Sequence, residues 1–401
     1  MRVTPLEIAL EWDSPHAHHR DRYYFGQIDL TQERFPADLG SRLQELSADQ
    51  SAQVDILFDD WQEKYQQNLI RTLPREQFRR RSKHPLPPVT PRTGRFYPYR
   101  FVSEAIEVNP GPNRALRCLR ASERELCIDL NHPLAGRRLQ LQATLPDEPQ
   151  NGSDQVDSPG DILAACASHG PGMQASLPDT DTDFFTEQAF RRIDEAEDSE
   201  FYTSPRLVQH LDATCRRHIQ DFYARFLQPG MRVLDLMSSW VSHLPAQPDN
   251  LVVHGLGMNA EEMQANVRLH DYTVQDLNQD SYLPFEGEHF DAVICTASIE
   301  YLTSPRLVID EVARVLKPGA PLLITFSDRW FPTKAVQLWS ELYEFERMQV
   351  VIDYLRLGGR FEQLASESLR GHPRPAEDPY SGQLDYSDPV FAVMGKKSPE
   401  L

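Results

Sequence analysis

The residues best suited to chemistry gather at the ends of short apolar runs in the second half of the chain. Asp235 stands next to last in the run RVLDL, before the loop MSSWVSH, which carries Met237, Ser238, Ser239, Trp240 and His243. Asp276, flanked by Gln275 and Leu277, follows a second short run, and Thr296 to Ser298 follow FDAVIC. A carboxylate at the end of a buried strand accepts hydrogen bonds and pairs with cations. Serine hydroxyls and backbone N–H groups can in turn satisfy a carboxylate on a ligand. Tryptophan buries a large area only when packed, so Trp240 in such a loop implies a ligand or a wall for one. His243 suits a general base or an orienting group, and Tyr301 is the other candidate for proton handling. A hydrogen-bonded structural histidine is the plainer reading of His243. Arg206 stands close to Phe201 and Tyr202, a combination that holds a carboxylate or closes a pocket. Arg329 and Lys334, in SDRWFPTKAVQLW, could attract an anionic group. An exposed lysine at a helix start near Thr333 accounts for Lys334 equally well.

Those side chains need a scaffold of strands and helices. Arg232–Leu236, Asn250–Gly255, Tyr272–Val274, Phe290–Cys295 and the apolar part of LKPGAPLLITF read as strands. A helix is expected to start at Ala260, and PRLVIDEVARVL, residues 305–316, is an amphipathic one. Apolar strands alternating with helices predict a parallel sheet covered on both faces, with its ligand loops along one edge. Pro318 and Gly319 supply the stop and the turn between the last helix and strand. Upstream, Ser204-Pro205 could open a helix carrying Leu207, Val208 and Leu211, then Ile219, Phe222 and Phe226.

LPF-x(4)-FD-x-V, residues 283–293, followed by E-x-x-R-V-L-K-P-G, residues 311–319, resembles the class I S-adenosylmethionine-dependent methyltransferases, in particular the small-molecule type 11 group. The resemblance covers residues 202–327. It implies a Rossmann-like domain that binds S-adenosyl-L-methionine and methylates a small-molecule acceptor; the alternative is a non-catalytic protein-binding or chaperone-like protein in which that fold is degenerate. By that resemblance Asp235, Met237, Ser238 and Ser239 lie near the methionine moiety. Asp276 and Leu277, with Gln275, border the adenine, and Thr296 borders the reactive end. Tyr202, Arg206, Trp240, Arg329 and Lys334 fall on the acceptor side, with His243 or Tyr301 handling a proton if the acceptor is a hydroxyl or an amine. Two positions depart from the family pattern. The glycine-rich loop is replaced by MSSWVSH, and Gly257, followed by Met258 and Asn259, stands where an acid binds the ribose hydroxyls. Asn259 or Glu261 are the sequence's candidates to replace that acid.

The first half reads differently. Phe96–Val108, ELCIDL and the alternating RLQLQATL suggest a small antiparallel sheet. TLPREQF and especially IDLNHPLAGRRLQL, residues 128–141, resemble SlyD-like FKBP-type peptidyl-prolyl isomerases, which implies an FKBP-like fold over residues 45–145. The family's aromatic proline pocket has no readable counterpart, which leaves isomerase activity open beside three other roles: a protein-binding module, a cover over the methyltransferase pocket, and a plain structural domain. The expected organisation is therefore α/β: a mostly β (α+β) FKBP-like domain over 1–146, a polar linker over 147–161, a helical bridge over 162–230 and the Rossmann-like methyltransferase core over 231–401.

A net charge of −19, from 60 acidic and 41 basic residues, argues against nucleic acid and anionic lipid as partners. Arg79, Arg80, Arg81 and Lys83 form a short basic run that reads as a solvated loop. Five cysteines without a CxxC pair argue against a disulfide scaffold or a thiolate metal site. The apolar runs are far shorter than the about 18 residues that cross a bilayer, and a soluble, cytoplasmic protein is expected.

Overall fold

The computed structural model describes residues 3–61, 64–79, 89–106, 115–146 and 157–399. Most of the expected linker and the run from Arg80 to Lys83 lie outside them, as do Glu107 and Val108.

Among the described residues, fifteen strands form two sheets. The first half contributes β1 (Val3–Asp13), β2 (His18–Asp29), β3 (Ser51–Leu57), β4 (Ile70–Pro74), β5 (Phe96–Pro98), β6 (Ala115–Ala121), β7 (Glu125–Asp129) and β8 (Arg138–Thr144). The second half contributes β9 (Arg232–Leu236), β10 (Val252–Gly257), β11 (Asp271–Val274), β12 (Ala292–Thr296), β13 (Pro321–Phe326), β14 (Phe361–Arg370) and β15 (Val390–Lys397). The long sheet has eleven strands in the order β11-β10-β9-β12-β13-β15-β14-β2-β1-β8-β3. Strands β9 to β13 are parallel, and β15 is antiparallel to both of its neighbours.

Side chains on consecutive strand residues face opposite layers, and both layers are filled. Leu234, Leu236, Val293, Cys295, Leu322 and Ile324 join one core beneath the helices Pro305–Val315 and Glu344–Leu357. Val233, Val253, Ala292, Ile294 and Leu323 join the other, against Ile219, Phe222 and Tyr223 of the helix Ala213–Ala224. That helix starts at Asp212, whose carboxylate accepts the Cys215 N–H at 3.0 Å. The start expected at Ser204-Pro205 is thus displaced. Residues 203–211 form no helix, and Leu207 and Val208 are 49% and 55% exposed.

The first half does not close on itself. Strands β1, β2, β8 and β3 continue the long sheet, while β4, β7, β6 and β5 form a separate four-stranded one. The segment NHPLAG therefore carries the chain from one sheet to the other, between β7 and β8. Parallel pairing of β2 with β14, from Ala365 opposite His18 to Arg370 opposite Tyr23, joins the halves. The seam is polar and buried. Asp21, 1% exposed, accepts from Trp12 Nε1, Gln174 Nε2 and Ser368 Oγ at 2.9–3.0 Å. Arg22 joins Glu7 at 2.9 Å to Glu367 at 3.1 Å across the same seam. Among the described residues no helix is long and apolar enough to cross a membrane.

Candidate active site

Strands β10 and β11 lie to one side of β9, and β12 and β13 to the other. The connections leaving β9 and β12 diverge, which opens a crevice at the carboxyl ends of the strands, where open α/β sheets take ligands. Asp235, Met237, Ser238, Ser239, Trp240, His243, Gly257, Met258, Asn259, Gln275, Asp276, Leu277, Thr296 and Tyr301 all line one pocket there, together with Tyr202 and Arg206.

Arg329 and Lys334 do not line it. Lys334, expected on the acceptor side, is 1% exposed and paired with Asp194 at 3.1 Å and Asp198 at 3.2 Å. A lysine reaches such a place because each charge is neutralised and Ala196 O accepts a further bond at 2.8 Å. Arg329 stacks on Tyr380, 4.7 Å from the ring centroid, and faces Asp388 at 3.7 Å.

The loop after β9 closes without glycine. Left-handed backbone falls on Met237 (φ +59°) and His243 (φ +51°), not on the serines. Non-glycine residues in this region cost about 1–2 kcal/mol each, so the surrounding bonds must hold them. Ser238 N–H donates to Leu256 O at 2.8 Å, and Ser238 Oγ donates to Asp235 at 2.7 Å. Ser239 Oγ donates to Glu262 at 2.7 Å, and Asn266 Nδ2 binds Ser239 O and Ser242 Oγ at 2.8 and 2.9 Å. Both serine hydroxyls thus donate their protons within the protein, not to a ligand.

The two departures from the family pattern meet here. A Cβ placed on Gly257 would lie 2.1 Å from Ser238 O, and one on Gly255 would lie 3.1 Å from Ser238 Oγ. The serine loop rests on the end of β10, in space that any side chain at 257 would need. Glycine-free loop and missing acid are one packing solution.

Electrostatics divide the pocket. Asp235 is 3% exposed, and burial pushes its pKa up to about 7 despite hydrogen bonds from Ser238 and Ser242. No lysine or arginine among the described residues pairs with it. Asp276, also raised by burial, accepts Asn278 N–H at 2.9 Å beside the buried Leu277. Gln275 spends its amide hydrogens on Asp280 O and Tyr282 O, at 2.8 and 2.6 Å. Thr296 Oγ1 bonds Tyr223 OH at 2.6 Å, which fixes the wall behind it.

On the opposite wall the Arg206 guanidinium lies 4.3 Å from the Phe201 ring centroid, 5.6 Å from that of Tyr202 and 5.5 Å from that of Phe331. Its Nη2 donates to Phe201 O at 2.8 Å, while Nη1 is buried with no partner. Trp240 Nε1 donates to Val208 O at 3.1 Å and so ties the irregular 203–211 segment over the pocket. His243 is neutral at physiological pH, because burial lowers its pKa to about 4, and its buried Nδ1 has no partner. Tyr301 OH accepts Phe331 N–H at 2.9 Å, and burial pushes the phenol well above its usual range. Tyr301 therefore keeps its proton and can donate a hydrogen bond but not act as a base.

Residues 250–324 match the family model of a methyltransferase domain. The side of the crevice from Gly257 to Tyr301 lies within that match. A ubiquinone/menaquinone biosynthesis C-methyltransferase of Laribacter hongkongensis is 35% identical over 92 residues, 23% of this chain and 36% of its own. The enzyme of the same description from Shewanella frigidimarina is 28% identical over 190 residues, 42% of this chain and 72% of its own. The chain spans only 36% and 48% of the length of the first two such relatives. Among solved structures, a Haemonchus contortus phosphoethanolamine N-methyltransferase aligns with a TM-score of 0.33 and 16% identity, over 45% of this chain and 52% of its own. At that score the likeness carries no weight, and the fold rests on the strand order given above.

The pocket suits S-adenosylmethionine by the chemistry of its donors and acceptors. The cofactor brings a sulfonium and an ammonium, and Asp235 is a buried acid without a cation. It also brings an adenine, and Leu277 offers an apolar face beside an acceptor carboxylate. Glu262, His210 and Phe331 line the same pocket and were not singled out from the sequence. For Glu262 a signal existed: Asn259-x-x-Glu262 has capping-box spacing, and the Asn259 side chain does accept Glu262 N–H at 3.0 Å.

Proposed function

We propose that the protein is an S-adenosylmethionine-dependent methyltransferase acting on a small-molecule acceptor. The observation that carries this reading is the meeting, at the switch point in the parallel part of the long sheet, of Asp235, an acid without a cationic partner, the Asp276–Leu277 pair and the aromatic-lined Arg206. S-adenosylmethionine, when bound, supplies an electrophilic methyl group to a nucleophile held in line with it. The protein's part is therefore positioning and exclusion of water. Asp235 faces the cationic end of the cofactor and Asp276 the adenine amino group. Trp240 holds the 203–211 segment across the mouth. The uncommitted Nη1 of Arg206 favours an acceptor carrying an anionic group, because a buried guanidinium hydrogen without a partner is costly. His243, neutral and unpartnered, is the group left to orient or receive a proton, and Tyr301 donates.

Calorimetric titration with S-adenosylmethionine and S-adenosylhomocysteine tests this reading, and absence of binding by both overturns it. D276N is expected to weaken S-adenosylhomocysteine binding about tenfold or more, the worth of one charge-assisted hydrogen bond of about 1.5–3 kcal/mol. Unchanged affinity would remove Asp276 from the adenine site.

For the first half, the FKBP-like reading extends to a protein-binding module and not to an isomerase. Tyr97 and Phe101, aromatic residues of that region, pack edge-to-face on Phe78 within the core of the four-stranded sheet. Prolyl isomerisation above the uncatalysed rate, in a protease-coupled assay on the full chain, would contradict this.

A further inference from the structure

The ribose of S-adenosylmethionine presents two hydroxyl donors, and the position that meets them in the resembling family is closed here by Ser238 O lying against Gly257. An acceptor must come from elsewhere in the pocket. Of its acids, Asp198 is held by Arg192 at 2.6 Å, Lys334 at 3.2 Å and Asn278 at 2.8 Å. Asp235 is tied under the serine loop, and Asp276 stands after β11, one strand further out. Asn259, the first substitute suggested by the sequence, caps the helix with its oxygen and gives its amide to Tyr202 O at 2.8 Å. Glu261, the second, is exposed and does not line the pocket.

Glu262 remains. It is 7% exposed and lines the pocket between the serine loop and the end of β10. Its carboxylate turns away from its own helix start and accepts Arg206 N–H on Oε1 and Ser239 Oγ–H on Oε2, both at 2.7 Å. A carboxylate has about four lone-pair sites, so about two are uncommitted. Resting on the methyltransferase reading above, we infer that Glu262 replaces the missing acid as the acceptor for the cofactor's ribose hydroxyls. It does so from the helix after β10, where the family uses the strand's last residue. The same carboxylate holds the backbone of Arg206, so binding the ribose also fixes the segment that presents the acceptor-side arginine.

A two-by-two calorimetric cycle tests this inference, pairing wild type and E262Q with S-adenosylhomocysteine and its 2′,3′-dideoxy analogue. The expected result is a loss of at least tenfold for E262Q with S-adenosylhomocysteine and less than twofold with the dideoxy analogue. The unmodified protein should itself prefer the parent ligand at least tenfold. Equal losses for both ligands would show that Glu262 only props the 203–211 segment, and no loss would show that it does neither; each overturns the inference while leaving the methyltransferase reading intact. If wild type binds neither S-adenosylmethionine nor S-adenosylhomocysteine, both fall together. Should E262Q not fold, E262D keeps the charge, shortens the reach and takes its place in the cycle.

Discussion

G257D, which restores the acid of the family pattern, is expected to destabilise the protein and abolish cofactor binding instead of improving it. The Cβ alone would sit 2.1 Å from Ser238 O, a backbone atom that cannot rotate away. Overpacking of this kind costs about 1–3 kcal/mol, and a carboxylate forced against a carbonyl oxygen adds an unpaired buried charge. Relief requires the serine loop to lift from β10, breaking the Ser238 N–H bond to Leu256 O and displacing Ser238 from Asp235. Chemical denaturation read alongside S-adenosylhomocysteine titration checks the outcome. A G257D protein as stable as wild type with tighter binding would show that the loop and the strand end are not coupled.

The second large effect is expected at Asp235, where stability and binding should move in opposite directions. Its folded pKa, about 7, lies above the value of about 3.9 for an unfolded aspartate. Between those values the native state holds more protons than the unfolded chain. This group's stabilising contribution is therefore whole below about pH 4 and is lost as pH rises through about 7. The loss is on the order of 4 kcal/mol at most. D235N cannot ionise and keeps the shape, so it should be more stable than wild type at pH 8 and nearly equal to it at pH 4. Cofactor binding should fall about 10- to 150-fold, since the cationic end loses its counter-charge. Wild-type affinity should rise with pH through about 7, with proton release detectable as a buffer-dependent heat. A D235N variant less stable than wild type at pH 8 would mean that the carboxylate is stabilised by something other than its two serine bonds.

The sequence discloses the crevice far better than the seam. RVLDL, apolar at Val233, Leu234 and Leu236, coincides with β9 residue for residue, so the polar residues that follow it fall at the strand's carboxyl end. β10 begins two residues later than Asn250 and ends two later than Gly255. Gly255 reads as a strand residue and Gly257 as the place of a missing acid, and only the fold shows the serine loop lying on both. Lys334 misleads because only the fold brings Asp194 and Asp198 to it. Leu207 and Val208 keep helical spacing but no helix, since Asp212 caps the true start. Glu262 carried a capping signal, yet its pocket role depends on Ser239 and Arg206 arriving from other elements. FEQLASESLR alternates poorly and gives little sign of β14, whose partner β2 is specified hundreds of residues earlier.

That last pairing governs when the protein can become itself. His19 on β2 bonds Ser366 on β14 at 2.8 Å across 347 residues of chain. At about 5–20 residues per second of synthesis, roughly 20–70 s pass between the emergence of one strand and the other. Throughout that interval β2 presents an open edge, with Asp21 lacking Ser368 and Arg22 lacking Glu367, and an unpaired strand edge is a template for strand exchange. The pairing of β2 with β14 is thus among the last that the sheet can complete.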